Sequence, residues 1–143
     1  MEPRKGFAIS WDVFENGSMN QPLALILYER LLPGTQLVNR LQDLQYRVHT
    51  INDIDALKPN ARSLGPMLVL VDLEWSKGNI RDAISQLHQD PVTSHIPVIA
   101  FTREVTNDLE AAALQSGATL VASDNAVLNH LPQLLQQAIQ DGP

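Results

Sequence analysis

Acidic and hydroxyl side chains stand at or directly after the ends of four apolar runs. The clearest case is MLVLVDLEW, residues 67 to 75, which presents Asp72 and then Glu74. Carboxylates are ligands of divalent cations and nucleophiles in covalent catalysis, so Asp72 is a candidate reactive group. Alternatively, Asp72 only closes a buried strand and accepts hydrogen bonds from nearby backbone N–H groups. The other positions of this kind are Tyr28 and Glu29, Thr102, and Ser123 and Asp124.

Five short apolar runs predict the strands that position these residues. They are PLALILY (22 to 28), YRVHTI (46 to 51), MLVLVDL (67 to 73), IPVIAF (96 to 101) and ATLVAS (118 to 123). The first, third and fourth runs are nearly continuous rather than alternating, which is typical of strands that are buried on both faces. Burial on both faces implies helices above and below the sheet.

The segments between these runs have apolar residues at helical spacing. Asn79 and Thr106 are suited to begin two of the helices. Pro59 interrupts the weakest segment, and Pro132 predicts that the last helix begins near Asn129 or bends there. Strand and helix alternate five times, which predicts an α/β fold with a parallel sheet covered on both faces. In such folds chemistry is found at the carboxyl ends of the strands, where the polar residues named above would meet.

Composition excludes several classes of function. The chain of 143 residues has no cysteine, four scattered histidines and a formal net charge of −6, so cysteine chemistry and a histidine metal site are not expected. The ten Lys and Arg residues form no cluster, which argues against nucleic-acid binding. No run approaches the roughly 18 apolar residues of a membrane span. We therefore expect a cytoplasmic protein that binds neither nucleic acid nor membrane.

Residues 1 to 21 lie outside the alternating pattern and are predicted to be an N-terminal extension of a domain at 22 to 140. Within them, FAISWDVF alternates between apolar and other residues, and ENGS comes next as a turn signal. The extension is either an extra strand, added to the sheet edge or exchanged with a second subunit, or a disordered leader.

Over residues 22 to 140 the sequence resembles the receiver domain of two-component response regulators. The resemblance rests on an aspartate ending the third strand, a hydroxyl ending the fourth and five βα units, together with QDPVTSHIPVIAFT and AAALQSGAT around the fourth and fifth strands. It implies a CheY-like, flavodoxin-like doubly wound (βα)5 fold with five parallel strands in the order 2-1-3-4-5. It also implies a signalling domain rather than an enzyme.

The resemblance assigns roles to four residues. Asp72 matches the aspartate that accepts a phosphoryl group from a histidine kinase. Thr102 matches the hydroxyl that turns inward to bond the phosphoryl oxygen. In the family an acidic pair after the first strand binds Mg²⁺ with this aspartate and a backbone carbonyl, which here implies Glu29, Asp72 and the carbonyl of Glu74.

Three positions depart from that pattern. Tyr28-Glu29 replaces the acidic pair, Val121 replaces an aromatic residue, and Asp124 replaces a lysine that contacts the phosphoryl group. A charge at ~4 Å is worth about 4 kcal/mol at an effective dielectric of about 20, before solvent and salt weaken it. The replacement of the lysine by Asp124 therefore disfavours phosphorylation of Asp72. Only one carboxylate of the acidic pair remains, Glu29, so we expect Mg²⁺ binding to be weak or absent. Asp124 either caps the segment after it or pairs with a nearby base.

The sequence is compatible with three alternative functions of this chain. The first is a degenerate receiver, or pseudo-receiver, that acts through protein–protein interaction without efficient phosphorylation. Its partner would be a histidine kinase, a phosphotransfer or output protein, or a second copy, bound through the face of the fourth helix, fifth strand and fifth helix near residues 106 to 140. The second is a working receiver of a phosphorelay, phosphorylated on Asp72 with Mg²⁺. The third is an unrelated flavodoxin-like enzyme or nucleotide binder, although the sequence has no G-x-G-x-x-G motif and no P-loop.

Overall fold

The computed structural model describes residues 21 to 140, in which five strands alternate with helices. The elements are β1 (Leu23–Leu27), α1 (Leu31–Asp43), β2 (Arg47–Ile51), a 3₁₀ helix (Ile54–Ala56), α2 (Leu57–Leu64), β3 (Leu68–Asp72), α3 (Ile80–Gln89), β4 (Val98–Thr102), α4 (Asn107–Ser116), β5 (Leu120–Ser123), α5 (Asp124–Asn129) and α6 (Leu131–Gln140). The strand or leader predicted for residues 1 to 21 lies outside this part of the chain, apart from Gln21.

The five strands form one parallel sheet in the order β2-β1-β3-β4-β5. This is the predicted order 2-1-3-4-5, so the flavodoxin-like, doubly wound fold is confirmed. The strand that ends in Asp72, β3, lies at the centre of the sheet. The five residues of β3 and the five of β4 are all buried, which explains why both runs are continuously apolar.

Two apolar clusters cover the two faces of the sheet. On one face, residues such as Val69 and Val71 pack with the inner sides of α2, α3 and α4. On the other face, Leu70 and Phe101 pack with α1, α5 and α6. Alternate residues of each strand enter opposite clusters because successive side chains of a strand point to opposite faces.

Side-chain caps fix two of the predicted helix starts. The Oδ1 atom of Asn79 accepts a hydrogen bond from the Asp82 N–H at 3.1 Å, and the Oγ1 atom of Thr106 accepts one from the Leu109 N–H at 3.2 Å. Both predicted caps are therefore confirmed.

Pro59 and Pro132, the two prolines expected to disturb helices, differ in their effect. Pro59 does not interrupt a helix, because it lies in the first turn of α2, where a proline needs no N–H partner. Pro132 marks a division, since α5 ends at Asn129 and α6 begins at Leu131. None of the helices between residues 21 and 140 is long and apolar enough to cross a membrane.

Candidate functional site

The carboxyl ends of β3, β4 and β5 bring three of the predicted polar residues to one edge of the sheet. Asp72 is the last residue of β3 and is fully buried. Thr102 is the last residue of β4, and it pairs in register with Ser123, which precedes Asp124. Parallel strands end at a common edge, so Asp72, Thr102 and Asp124 lie around one site, as the sequence predicted.

A cation from the loop after β1 occupies the centre of this site. The Nε atom of Arg30 donates to Asp72 Oδ2 at 3.0 Å, and Nη2 donates to Asp72 Oδ1 at 2.9 Å. The same guanidinium bonds Asp124, from Nη1 to Oδ2 at 2.7 Å and from Nη2 to Oδ1 at 3.1 Å. One guanidinium thus makes a two-point contact with each of two carboxylates, which is the strong form of this interaction. We call the arrangement of Arg30, Asp72 and Asp124 the arginine clamp.

The arginine clamp is largely shielded from solvent. The side chain of Arg30 is only 12 % exposed, and its guanidinium carbon lies 5.9 Å from the centre of the Phe101 ring. The hydrogen bond to Asp124, followed by the bond and charge of Asp72, raises the pKa of Arg30 above its usual value although burial opposes this. Arg30 is therefore a permanent positive charge at the position where the strands end.

Glu74 connects the arginine clamp to the end of β4. Its N–H donates to Asp72 Oδ1 at 3.0 Å, and its carboxylate accepts hydrogen bonds from Thr102 Oγ1 at 3.1 Å and the Arg103 N–H at 2.7 Å. Burial tends to raise the pKa of the Glu74 carboxyl. The bonds from Arg103 and Thr102 and the charge of Arg30 outweigh burial, so the pKa lies below its ordinary value. Glu74 is thus an anion that holds the Thr102 hydroxyl.

Glu29 is directed to a different partner. Its carboxylate accepts hydrogen bonds from the backbone N–H of Ser76 and from the Ser76 hydroxyl, the latter at 2.9 Å. The bond from the Ser76 N–H, followed by the bond from its hydroxyl, lowers the pKa of Glu29. Glu29 therefore ties the loop after β1 to the loop after β3 through Ser76.

Two other positions of the predicted pattern have packing roles. The ring of Tyr28 lies so close to Gly34 that a Cβ atom on Gly34 would be 2.0 Å from Cδ2 of the ring, so glycine is required there. Val121 is half-buried and packs against the apolar cluster on the α3 side of the sheet. Neither side chain bonds to the arginine clamp.

The arrangement does not fit a Mg²⁺ ion beside Asp72 while Arg30 is in place. The oxygens of Asp72 already accept hydrogen bonds from Arg30 and from the Glu74 N–H, and the Glu29 carboxylate is bonded to Ser76. Within residues 21 to 140, no three His, Asp or Glu side chains form a group that could hold a metal ion. Mg²⁺ requires oxygen ligands that are directed at one point, and here those oxygens serve a guanidinium.

Reasoning from the sequence missed Arg30, the residue that organises the site. A usable signal was present, because Asp72, Glu74 and Asp124 were all expected near one edge and would repel one another there. A basic side chain long enough to reach that edge was therefore needed. Arg30 stands three residues after β1, whose carboxyl end lies at the same edge.

Solved structures with the same fold are known, although neither a protein-family model nor a curated protein matches this sequence. The chemotaxis protein CheY4 of Vibrio cholerae shares 16 % identity at a TM-score of 0.75, over 82 % of this chain and 98 % of that chain. The activated NtrC4 receiver domain dimer shares 14 % identity at a TM-score of 0.73, over 83 % and 97 %. The Mn²⁺-bound form of the response regulator Rcp1 shares 18 % identity at a TM-score of 0.65, over 80 % and 89 %. At these identities, the likenesses show that this chain has the fold of receiver domains.

Proposed function

We propose that this chain is a receiver-like signalling module that acts through protein contacts, without efficient phosphorylation of Asp72. The observation that carries the proposal is the arginine clamp. A phosphoryl group on Asp72 needs a free carboxylate oxygen as the nucleophile and cations around the transferred oxygens. Arg30 engages both oxygens of Asp72 and already shares its single charge with Asp124.

Electrostatics around the arginine clamp supports the same proposal. Arg30 lies within 4 Å of the carboxylates of Asp72, Glu74 and Asp124. Phosphorylation of Asp72 would add negative charge beside the other two carboxylates without adding a cation. A divalent ion would have to displace Arg30 and gather the carboxylates itself. In this function the module needs no metal cofactor, and it acts as a binding partner rather than as an enzyme.

The proposed partner is another signalling protein or a second copy of the chain. The predicted face of the fourth helix, fifth strand and fifth helix corresponds to α4, β5 and the pair α5 and α6. Leu114 of α4 is 44 % exposed and Ile139 of α6 is 43 % exposed, and we propose both as apolar contacts. Among proteins of this fold, the NtrC4 receiver domain forms a dimer when activated. This surface is the one on which we place the partner.

A phosphorylated receiver is the second candidate, and the position of two residues favours it. Asp72 ends the central strand, and Thr102 ends the neighbouring strand, as in a domain that accepts a phosphoryl group. If Arg30 swings out of the site, the Asp72 carboxylate becomes available for Mg²⁺ and a phosphoryl donor. The two candidates differ in the reactivity of Asp72, which can be measured directly.

Intact-mass analysis after treatment with acetyl phosphate and Mg²⁺ separates the two candidates. We expect no added mass on the wild-type chain, whereas a phosphorylatable receiver treated in parallel gains one phosphoryl group. Asp72→Asn is the matched control, since it removes the nucleophile and keeps the shape of the side chain. A gain of one phosphoryl group that is lost in Asp72→Asn would contradict the proposal and establish the second candidate.

A further inference from the structure

A groove of about 940 Å³ lies between α2 and α3, and no residue of the arginine clamp lines it. It is bordered by the 3₁₀ helix, by α2, by the loop that leads into α3, and by one side of α3. Its volume lies within the ~300–1,000 Å³ of typical small-molecule sites. Nothing in the proposed function uses this groove.

Apolar side chains line part of the groove. Leu57 and Ala83 belong to the buried cluster of that face of the sheet, and Ile54 packs half-buried against them. The loop backbone closes over Ile54 at Gly78, where an added Cβ atom would lie 3.0 Å from Cγ2 of Ile54. Gly78 also has a φ of +155°, which favours glycine. Leu57 and Ala83 are nearly fully buried, so Ile54 is the side chain among these three that presents apolar surface to the groove.

Three cations also line the groove, which is notable in a chain of net charge −6. Lys58, Arg62 and Lys77 are three of the ten Lys and Arg residues in the sequence. Lys58 and Arg62 share one nearly buried carboxylate, that of Asp90, at 3.7 and 2.5 Å. Asp90 has one negative charge and the two basic side chains have two positive charges, so the group of Lys58, Arg62 and Asp90 has a net charge of +1.

The acidic residues of the lining limit how much negative charge a ligand can carry. Asp55 and Asp82 both line the groove, and the Asp82 carboxylate accepts a hydrogen bond from the Gln86 side chain at 2.8 Å. A polyanion such as a nucleotide would be repelled by these two carboxylates. A ligand with a single anionic group beside Lys58 and Arg62 meets less of that repulsion than a polyanion does.

We infer that this groove binds a small organic anion, with its one anionic group beside Lys58 and Arg62 and its apolar body against Ile54. The anionic group is a carboxylate or a sulfonate, because either pairs with an ammonium and a guanidinium. Such a ligand joins α2 to α3 by contacting both helices. This inference does not depend on whether Asp72 is phosphorylated.

Two probes with the same chain length test the inference on the full-length protein. Octanoate has the anionic group and 1-octanol lacks it, so the pair isolates the contribution of the charge. In ¹H–¹⁵N NMR titrations we expect octanoate to shift saturably the amide signals of residues 54 to 63 and 77 to 86. We expect 1-octanol to bind several-fold more weakly at the same groove.

Variants locate the anionic group. Lys58→Gln is expected to weaken octanoate binding about fivefold and to leave 1-octanol binding unchanged, as is typical of the loss of one partly exposed charge contact. Ser63→Glu, at an exposed lining position, adds a carboxylate without removing the Asp90 contacts and should weaken octanoate binding at least as much. Arg81→Gln is the matched control, since Arg81 is exposed on α3 outside the groove.

Either of two results overturns the inference. One is equal affinity for octanoate and 1-octanol that Lys58→Gln and Ser63→Glu both leave unchanged. The other is a set of shifts centred on other apolar positions, such as Leu114 and Ile139, with no saturable change along α2 and α3.

Discussion

The guanidinium of Arg30 compensates carboxylates that belong to two different strand ends. Asp72 is fully buried, and Asp124 is 20 % exposed. Breaking such a pair from one side leaves an uncompensated charge in a poorly solvated place, and this costs more than the pair contributes in net stability. Arg30 is therefore the single side chain whose removal should affect the site most.

We expect Arg30→Gln to lower the free energy of unfolding at pH 7 by about 3–5 kcal/mol, because it leaves Asp72 buried without its cation. The matched control is Arg103→Gln. Arg103 is 73 % exposed and pairs with Glu74 at 3.3 Å, so its removal should lower the unfolding free energy by less than about 1 kcal/mol. Urea unfolding measures both values.

A double-mutant cycle separates the pair from other effects of the substitution. If Arg30 acts through Asp72, Asp72→Asn should make the Arg30→Gln substitution less damaging. Equal losses in Arg30→Gln and Arg103→Gln would contradict the interpretation of Arg30 as the compensating charge.

At the scale of elements, carboxylates join neighbouring loops to each other and neighbouring helices to each other. Glu29 joins the loop after β1 to the loop after β3 through Ser76. Asp90, at the end of α3, joins that helix to Lys58 and Arg62 of α2. Removing either carboxylate should loosen a contact between two elements, whereas the two apolar clusters would remain.

Asp90 makes one of these contacts dependent on pH. The bond from the Val92 N–H, followed by the bond from Arg62, lowers the pKa of Asp90 below the ordinary value of 3.8. A carboxyl whose pKa is lower in the folded state stabilises it fully above that ordinary value, and the stabilisation is lost as the pH falls through the folded-state pKa. We expect Asp90→Asn to be less stable than wild type at pH 7, with the difference shrinking below about pH 3.8.

Urea unfolding at pH 7 and near pH 3 measures this change. Asp43→Asn is the matched control, since Asp43 is exposed at the end of α1 and makes no side-chain hydrogen bond or ion pair within residues 21 to 140. A difference between Asp90→Asn and wild type that stays constant across this pH range would show that Asp90 acts through packing alone.

The helices and strands were predictable from the sequence because their apolar spacing and their capping residues depend on positions that are close together along the chain. Continuous apolar runs indicate burial on both faces. Residues such as Asn79 and Thr106 indicate helix starts, because their side chains accept hydrogen bonds from the backbone N–H three residues later. The arginine clamp was harder to predict, because it depends on the direction that one loop side chain takes. Leu32 has extended dihedral angles within the first turn of α1, so regular helix begins only at Pro33, and the preceding segment carries Arg30 beside the strand ends.

At the scale of the whole molecule, the parallel sheet places the loops after β1, β3, β4 and β5 at one edge. The side chain that lies between the carboxylates there determines whether a metal ion can bind to them. A ligand that binds only the folded state raises its stability in proportion to the logarithm of ligand concentration over the dissociation constant. In the wild type Arg30 holds the position between Asp72 and Asp124. Metal binding there should therefore be visible as a change in thermal stability only when Arg30 is removed.

We expect the melting temperature of the wild type to be unchanged by Mg²⁺ or Mn²⁺ at about 10 mM, relative to NaCl of equal ionic strength. Arg30→Gln should gain stability from the same ions, because Asp72 and Asp124 then lack a cation and divalent ions prefer carboxylate oxygens. The double variant Arg30→Gln, Asp72→Asn should lose most of that gain. Differential scanning calorimetry measures all three chains. Stabilisation of the wild type equal to that of Arg30→Gln would mean that a metal ion and Arg30 occupy different places, and that the guanidinium does not substitute for the ion.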